Sequence, residues 1–361
     1  MSDPAIGVQP VLHGTIRVGS ESYEYRSSFS SGLRFRCLPD CGLCCRTYRV
    51  PLTDFDLDRL QEVVDPAACT SIEYTGYTEP GSGVETRAFM ENGRMGGCCY
   101  LDEDARCSVY GNRPLYCRTY PLIRDTYGQL EMSVDHTCPG VGAGDPVTRE
   151  QIEEAFRLEM QDRPKTIKVP AASAYYRVIC GSLKSMGVYA EAEVIRSVCL
   201  KLIERGLASR RVFRISAYFT AAAAVLAETL AGAGNITDPE AADRIVAGVG
   251  NTPGSGAAQT KESELSEEAA ERLAAYLAEW NRRQALLRFV HTAALARPGR
   301  LNVLHRFFDF LADAACSILT DAEGSRSRVG EQRITARLML EAIRKNEGPL
   351  RSICASVVST E

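Results

Sequence analysis

The chain has 361 residues, 45% of them hydrophobic and 24% charged, so its composition is that of a globular protein with a packed core. Forty-two Lys and Arg against 46 Asp and Glu leave a net charge of −4, which supplies no broad basic footprint for nucleic acid or an acidic membrane. Met1 to Ser30 lacks the basic-then-apolar order of a secretory signal. The longest apolar stretch, Ala217 to Ala233, is alanine-rich and broken by Glu228, which suits a buried helix rather than a membrane span. A cytoplasmic, reducing setting is expected, where 14 cysteines serve as metal ligands or free thiols rather than as a disulfide framework.

In chain order, Met1 to Arg36 reads as strand or coil, because Ile16, Val18, Tyr23 and Tyr25 alternate with polar residues. Thr53 followed by Asp56 has the form of a capping box with Asp in the place of Glu, and it opens a short helix in which Leu57, Leu60 and Val64 share a face and Phe55 lies off it. Tyr74 to Arg94 reads as a hairpin or loop. Gly140 to Asp145 marks a break, and its glycines read as a linker rather than a cofactor loop, since no strand-then-helix unit frames them. After Thr148 and Gln151 the apolar spacing turns helical. Helices are expected over 148–163, 172–186, 189–205, 211–231, 239–249, 267–296, 301–320 and 333–345, with a flexible loop at about 250–262.

The fold class that follows is mainly α: an N-terminal extended segment over 1–34, a small irregular cysteine-rich metal-binding domain over 35–146, and an all-helical domain over 147–361.

Ten cysteines lie between Cys37 and Cys138, and eight of them carry the chemical signal: Cys37, Cys41, Cys44, Cys45, Cys98, Cys107, Cys117 and Cys138. Thiolates this close in sequence can converge on one ion or cluster without a long loop to close, as iron–sulfur and structural zinc sites require. Gly42 permits a tight turn between Cys41 and Cys44, and Pro39, Pro114, Pro121 and Pro139 stiffen the chain beside ligands. Arg36, Arg46, Arg106, Arg113 and Arg118 are placed to offset thiolate charge. Eight ligands suffice for one four-ligand site with four left over, or for two sites. The excess of thiolates, the arginines and the scarcity of histidine favour an iron–sulfur cluster of the 4Fe–4S type over zinc. His136, next to Cys138, is expected in a structural hydrogen bond. Cys69, Cys180, Cys199, Cys316 and Cys354 are expected to pack in cores, Cys99 to be the spare of its pair, and Tyr110, Tyr116 and Tyr120 to shield the cluster. His291 and His305 read as surface or satisfied interior groups, and Trp280 as a core residue.

The ordered motifs Cys41-Gly42-Leu43-Cys44-Cys45-Arg46, Leu52-Thr53 with Asp56, Cys98-Cys99-Tyr100-Leu101-Asp102, Cys107-Ser108-Val109-Tyr110 and Arg113-Pro114-Leu115-Tyr116-Cys117-Arg118-Thr119-Tyr120-Pro121 resemble the CxxCxxCC (YkgJ-like) cysteine-cluster family. The resemblance covers about the first 140 residues and implies zinc or iron chelation. The three-residue gap from Cys37 to Cys41 and the extra Cys99 depart from the family pattern. A cluster domain followed by a helical region is also similar in plan to flagellin lysine-N-methylase. That likeness implies a protein lysine N-methyltransferase using S-adenosylmethionine on a protein substrate such as flagellin, an alternative to an iron–sulfur protein of unassigned chemistry. A third alternative is a zinc-stapled protein-interaction module. Cys37, Cys41 and Cys44 match the spacing of a radical-enzyme triad, but the alternating strands and helices of its barrel are missing.

Overall fold

The computed structural model describes residues 11–18, 21–38, 41–75, 77–78, 85–92, 96–125, 130–162, 192–233, 247–248, 263–283, 286, 290 and 303–356. The chain divides into two compact units, one made of Val11–Ser27 with Ser31–Ala172 and the other built mainly on Ser173–Glu361. The expected helices over 172–186 and 239–249, the loop at 250–262, Cys180 and His291 lie outside the described residues.

The first unit is rich in strands. β1 (Val11–Val18) and β2 (Glu21–Ser30) follow the alternation read from their sequence, which places Ile16 and Tyr25 in the interior. β3 (Arg34–Phe35), α1 (Leu43–Thr47), β4 (Arg49–Leu52) and α2 (Asp54–Gln61) follow. Four further short strands are β5 (Ile72–Glu73), β6 (Tyr77–Thr78), β7 (Glu85–Thr86) and β8 (Ala88–Glu91). Then come α2's partner in site building, α3 (Leu115–Thr119), and β9 (Leu122–Asp125), β10 (Leu130–Val134), β11 (Asp145–Pro146) and α4 (Arg149–Asp162).

One sheet has the order β1-β2-β10-β9, with β10 parallel to β2 (Leu130 opposite Tyr25) and antiparallel to β9. α4 lies against β1, where the Tyr25 hydroxyl donates to Glu153 Oε1 at 2.7 Å and its ring sits 5.4 Å from that of Phe156. A smaller sheet, β4-β8-β5, covers the cysteine region. Its buried Val50, Leu52, Ala88 and Met90 join Leu60, Ile72, Tyr100 and Val109 in a single apolar cluster. That burial is what holds so irregular a stretch together, at about 25 cal/mol for each Å² of apolar surface removed from water.

The Thr53–Asp56 capping box is present as expected, with Leu60 buried, Leu57 and Val64 packed against the cluster and Phe55 about half exposed. Residues 140–147 are not a linker. Arg36 N–H donates to Gly140 O at 3.2 Å, Gly142 N–H to Arg34 O at 2.8 Å and Val147 N–H to Leu33 O at 2.6 Å, and β11 pairs antiparallel with β3. A Cβ on Gly140 would lie 2.2 Å from the Arg36 carbonyl oxygen, so glycine serves close backbone approach there. Spacing could not foretell this pairing, because its partner lies more than a hundred residues earlier.

The second unit is helical. Its elements among the described residues are α5 (Ala192–Leu207), α6 (Val212–Ala233), β12 (Glu264–Leu265), α7 (Glu267–Arg282), α8 (Val303–Val329), β13 (Arg333–Ile334) and α9 (Ala336–Ser356). Ser266 caps α7 through its hydroxyl, which accepts from Ala269 N–H. Apolar faces of all five helices meet in one core containing Phe219, Trp280, Phe307, Phe308 and Leu338.

The last helix, α9, continues eleven residues past Lys345 to Ser356, and three other boundaries differ from the expected ones for a visible reason. Regular α7 ends at Arg282, because Arg283 is extended and its buried guanidinium is committed to Glu279 and Glu347. α8 continues nine residues past Thr320 to Val329, where Gly330 (φ 72°) supplies the left-handed stop. Arg333 and Ile334, expected in a helix, form β13 parallel to β12, since pairing that buries Ile334 outweighs its helical spacing to Leu338.

Among the described residues no helix is long and apolar enough to cross a membrane.

Candidate metal centre

Each thiol stretch is placed by a backbone device that its own sequence supplies. The tight turn expected at Gly42 is present: the residue adopts the left-handed φ of 53° as the N-cap of α1, between Cys41 and Cys44. Cys98 N–H donates to Cys45 O at 2.7 Å, which fixes the second stretch on the first. Between Cys98 and Cys107 the chain closes a tight loop: Leu101 bridges Cys107, and Ser108 N–H donates to Tyr100 O at 2.8 Å.

Cys117 rides on α3, whose Leu115 N–H donates to Asp56 Oδ1 at 2.8 Å. The other oxygen of that buried carboxylate accepts from Thr53 N–H and Oγ, both at 2.9 Å. One carboxylate therefore caps α2 and orients the helix that carries Cys117. Cys138 N–H donates to Asp135 O at 3.2 Å, and the pairing of 34–36 with 140–142 returns Cys138 to the neighbourhood of Cys37.

The C-terminal ends of α1 and α3 are tied to the Cys138 turn by a polar network. The Tyr48 hydroxyl lies 3.1 Å from that of Tyr120, donates to Asp135 Oδ2 at 3.3 Å, and hydrogen-bonds Thr137 Oγ1. Thr137 in turn donates to Asp135 Oδ1 through N–H at 2.9 Å and through its hydroxyl at 2.6 Å. Tyr48, Tyr120 and Thr137 each stand next to a ligand stretch, so the network sets the separation of three of them.

The eight thiols share one electrostatic neighbourhood. A hydrogen bond with Cys45, whose sulfur is 4.0 Å away, lowers the Cys44 thiol to about 6, and Arg113 adds to this. The same bond and burial push Cys45 up. Burial, with repulsion from Cys44, raises Cys37, Cys98, Cys107 and Cys117, and lifts Cys138 to about 11. Cys41 is a charge neighbour of both Cys37 and Cys138. So many thiols cannot all ionise in one partly buried space without a cation to offset them.

Among the described residues, no three His, Cys, Asp or Glu side chains converge tightly enough to close around an ion as they stand. The donor set nevertheless suits one. Its donors are sulfur, which iron and zinc both take, and the Cys44 and Cys45 sulfurs lie 4.0 Å apart.

Other expectations divide. Of the five arginines, Arg113 acts on Cys37, Cys44 and Cys107, and Arg46 donates to Cys41 O at 3.4 Å. Tyr116 packs on the core beside Cys117, but Tyr110 does not shield the thiols: it is 61% exposed, with the Arg113 guanidinium 3.7 Å above its ring. His136 is buried. Cys199 and Cys354 pack in the helical core, Cys316 packs against it, Trp280 is fully buried, and the His305 imidazole is 2.9 Å from Asp309.

The main correction concerns Cys69 and Cys99, which form a disulfide across 30 residues: Cys69 is packed in the apolar cluster as expected but is not a free thiol, and Cys99 is not a spare. Ser71 holds the pair, with its hydroxyl 3.2 Å from Cys69 Sγ and accepting from Cys99 N–H at 3.2 Å. The sequence signal was only that these two cysteines stand outside the motif spacing, and spacing alone does not give connectivity.

No curated protein and no solved structure gives a significant match to this chain. Residues 36–139, the segment bounded by these ligand stretches, match the CxxCxxCC family model, described as a "Putative zinc- or iron-chelating domain", and it is to this family that the cysteine region is similar.

Proposed function

We propose that the chain is a metal-binding cysteine-cluster protein in which Cys37, Cys41, Cys44, Cys45, Cys98, Cys107, Cys117 and Cys138 hold iron as an iron–sulfur centre of the 4Fe–4S type, in preference to zinc. What supports this is that the thiols of Cys37, Cys45, Cys98, Cys107, Cys117 and Cys138 all lie within electrostatic reach of Cys44, in a region where His136 is the one histidine of the sequence nearby, so the donors on offer are sulfur throughout. When bound, such a centre supplies one-electron transfer or redox sensing.

The chain's own residues perform the supporting tasks. Cys44 offers the most readily ionised sulfur and so a first point of attachment. Arg113 offsets thiolate charge at three of the ligands. Asp56 orients Cys117 through the first turn of α3, and the Tyr48–Tyr120–Asp135–Thr137 network fixes the spacing of the ligand stretches. Cys138 is buried and Cys117 partly buried, which limits solvent access to the inner sulfurs.

Anaerobic purification of the full chain tests the proposal. A brown protein with a broad visible band and stoichiometric iron and acid-labile sulfide is expected. Zinc in a colourless protein would replace iron with a structural staple, and a chain that holds no metal would overturn the assignment altogether.

A further inference from the structure

The disulfide between Cys69 and Cys99 has two unlike ends. Cys69 is 5% exposed and packs in the apolar cluster of the β4-β8-β5 sheet, whereas Cys99 is exposed. Ser71, itself buried, serves both ends: its hydroxyl lies 3.2 Å from Cys69 Sγ and accepts from Cys99 N–H at 3.2 Å. A disulfide sulfur carries no proton, so it is the Ser71 hydroxyl that donates to Cys69 Sγ. The Ser71 carbonyl accepts from Glu91 N–H at 2.7 Å, which anchors the serine on β8.

We propose that Cys69–Cys99 is a thiol–disulfide exchange site whose co-substrate is a dithiol, with Cys99 as the sulfur attacked, Cys69 as the sulfur that leaves, and Ser71 as the donor that stabilises its departure. Exchange is fast where the attacked sulfur is accessible and the departing sulfur bears negative charge well. Exposure of Cys99 meets the first condition. The Ser71 hydrogen bond to Cys69 meets the second, because it strengthens as thiolate charge develops. In the first step a thiolate of the dithiol forms an S–S bond with Cys99 while the Cys69–Cys99 bond breaks, and Cys69 leaves as a thiolate that takes a proton from solvent. The second thiolate of the dithiol then displaces Cys99, which is protonated in turn. Two electrons have passed to the pair, and the dithiol has become a disulfide. Neither sulfur is among the eight assigned to the metal, so this inference goes beyond metal binding and does not depend on it.

The test needs no substitution in its first arm. The folded full chain, oxidised with diamide so that the pair is closed, is treated with the monothiol glutathione and quenched with an alkylating agent in denaturant. Mass spectrometry of the peptides is expected to find glutathione on Cys99 and the alkyl group on Cys69. Glutathione on Cys69 instead, a pair that opens only after unfolding, or a pair that diamide does not close overturns the proposal. In the second arm the folded chain is reduced with dithiothreitol and loss of the cross-linked peptides is followed in time. Ser71→Ala is expected to slow the reduction by about fivefold or more, and Ser71→Thr, which keeps the hydroxyl, to stay within about twofold of the wild type. Were Ser71 a packing residue alone, its truncation would loosen the pair and hasten its opening. Reduction of Ser71→Ala at the wild-type rate or faster therefore overturns the role given to Ser71.

Discussion

Asp56→Ala removes the one carboxylate shared by two helices of the cysteine region, and its cost can be worked from the bonds it breaks. The Thr53 hydroxyl loses the acceptor it has in Asp56 Oδ2, about 1 kcal/mol. The amides of Thr53 and Leu115 then lack their acceptor in a buried place, at about 1 kcal/mol or more each. The sum is roughly 3 kcal/mol, about two decades in the unfolding equilibrium. Asp56→Asn keeps one acceptor oxygen and can serve Thr53 or Leu115 but not both, so about half that loss is expected.

Urea unfolding of metal-free protein, followed by far-UV circular dichroism, measures the stability change. Alkylation of Cys117, read by mass spectrometry, measures release of α3 and is expected to quicken in the alanine variant. If Asp56→Ala stays within about 1 kcal/mol of the wild type and Cys117 is labelled no faster, the linkage of cap to ligand helix is refuted.

In the helical unit, Glu347 accepts from Arg283 at 3.0 Å, Arg351 at 2.6 Å and Trp280 at 3.3 Å, and also from the Tyr276 hydroxyl. Glu347→Ala leaves Arg283 with Glu279 as its remaining carboxylate in the interior and is expected to cost about 3–5 kcal/mol, measurable by Trp280 fluorescence in urea. The phenols of Tyr25 and Tyr120 are raised, by burial first and then by the neighbouring Glu153 and Asp135 respectively. Their contribution to stability is therefore complete below about pH 10 and lost as pH rises further, so the part of the tyrosinate absorbance that Tyr25→Phe and Tyr120→Phe remove should appear only with loss of ellipticity, and its appearance in folded protein would count against it.

What could be read in advance was whatever the chain decides locally. The Thr53–Asp56 cap, the tight turn at Gly42 and the face shared by Leu57, Leu60 and Val64 depend on neighbours within a few residues, and the sequence displays them. The strand at Arg333–Ile334, the pairing of 140–147 with 33–36 and the Cys69–Cys99 bond depend on partners 30 to more than 100 residues away, where no periodicity reports the choice. The polar run after Thr320 hid the end of α8 for a different reason: Asp321, Glu323 and Arg326 make their contacts through Lys345, Asn346 and one another, leaving little apolar pattern to follow. Asp56 shows the limit within a single residue, since its role at Thr53 is legible in the spacing and its role at Leu115 is not.

The antiparallel meeting of Arg34–Phe35 with Asp145–Pro146 also bears on how such a segment could be moved between proteins. A stretch whose two ends lie side by side can be spliced into a surface loop of an unrelated host without prising that host apart. Everything from the first sulfur to the last would then travel as one cassette, provided β2 is carried along to keep its pairing with β10.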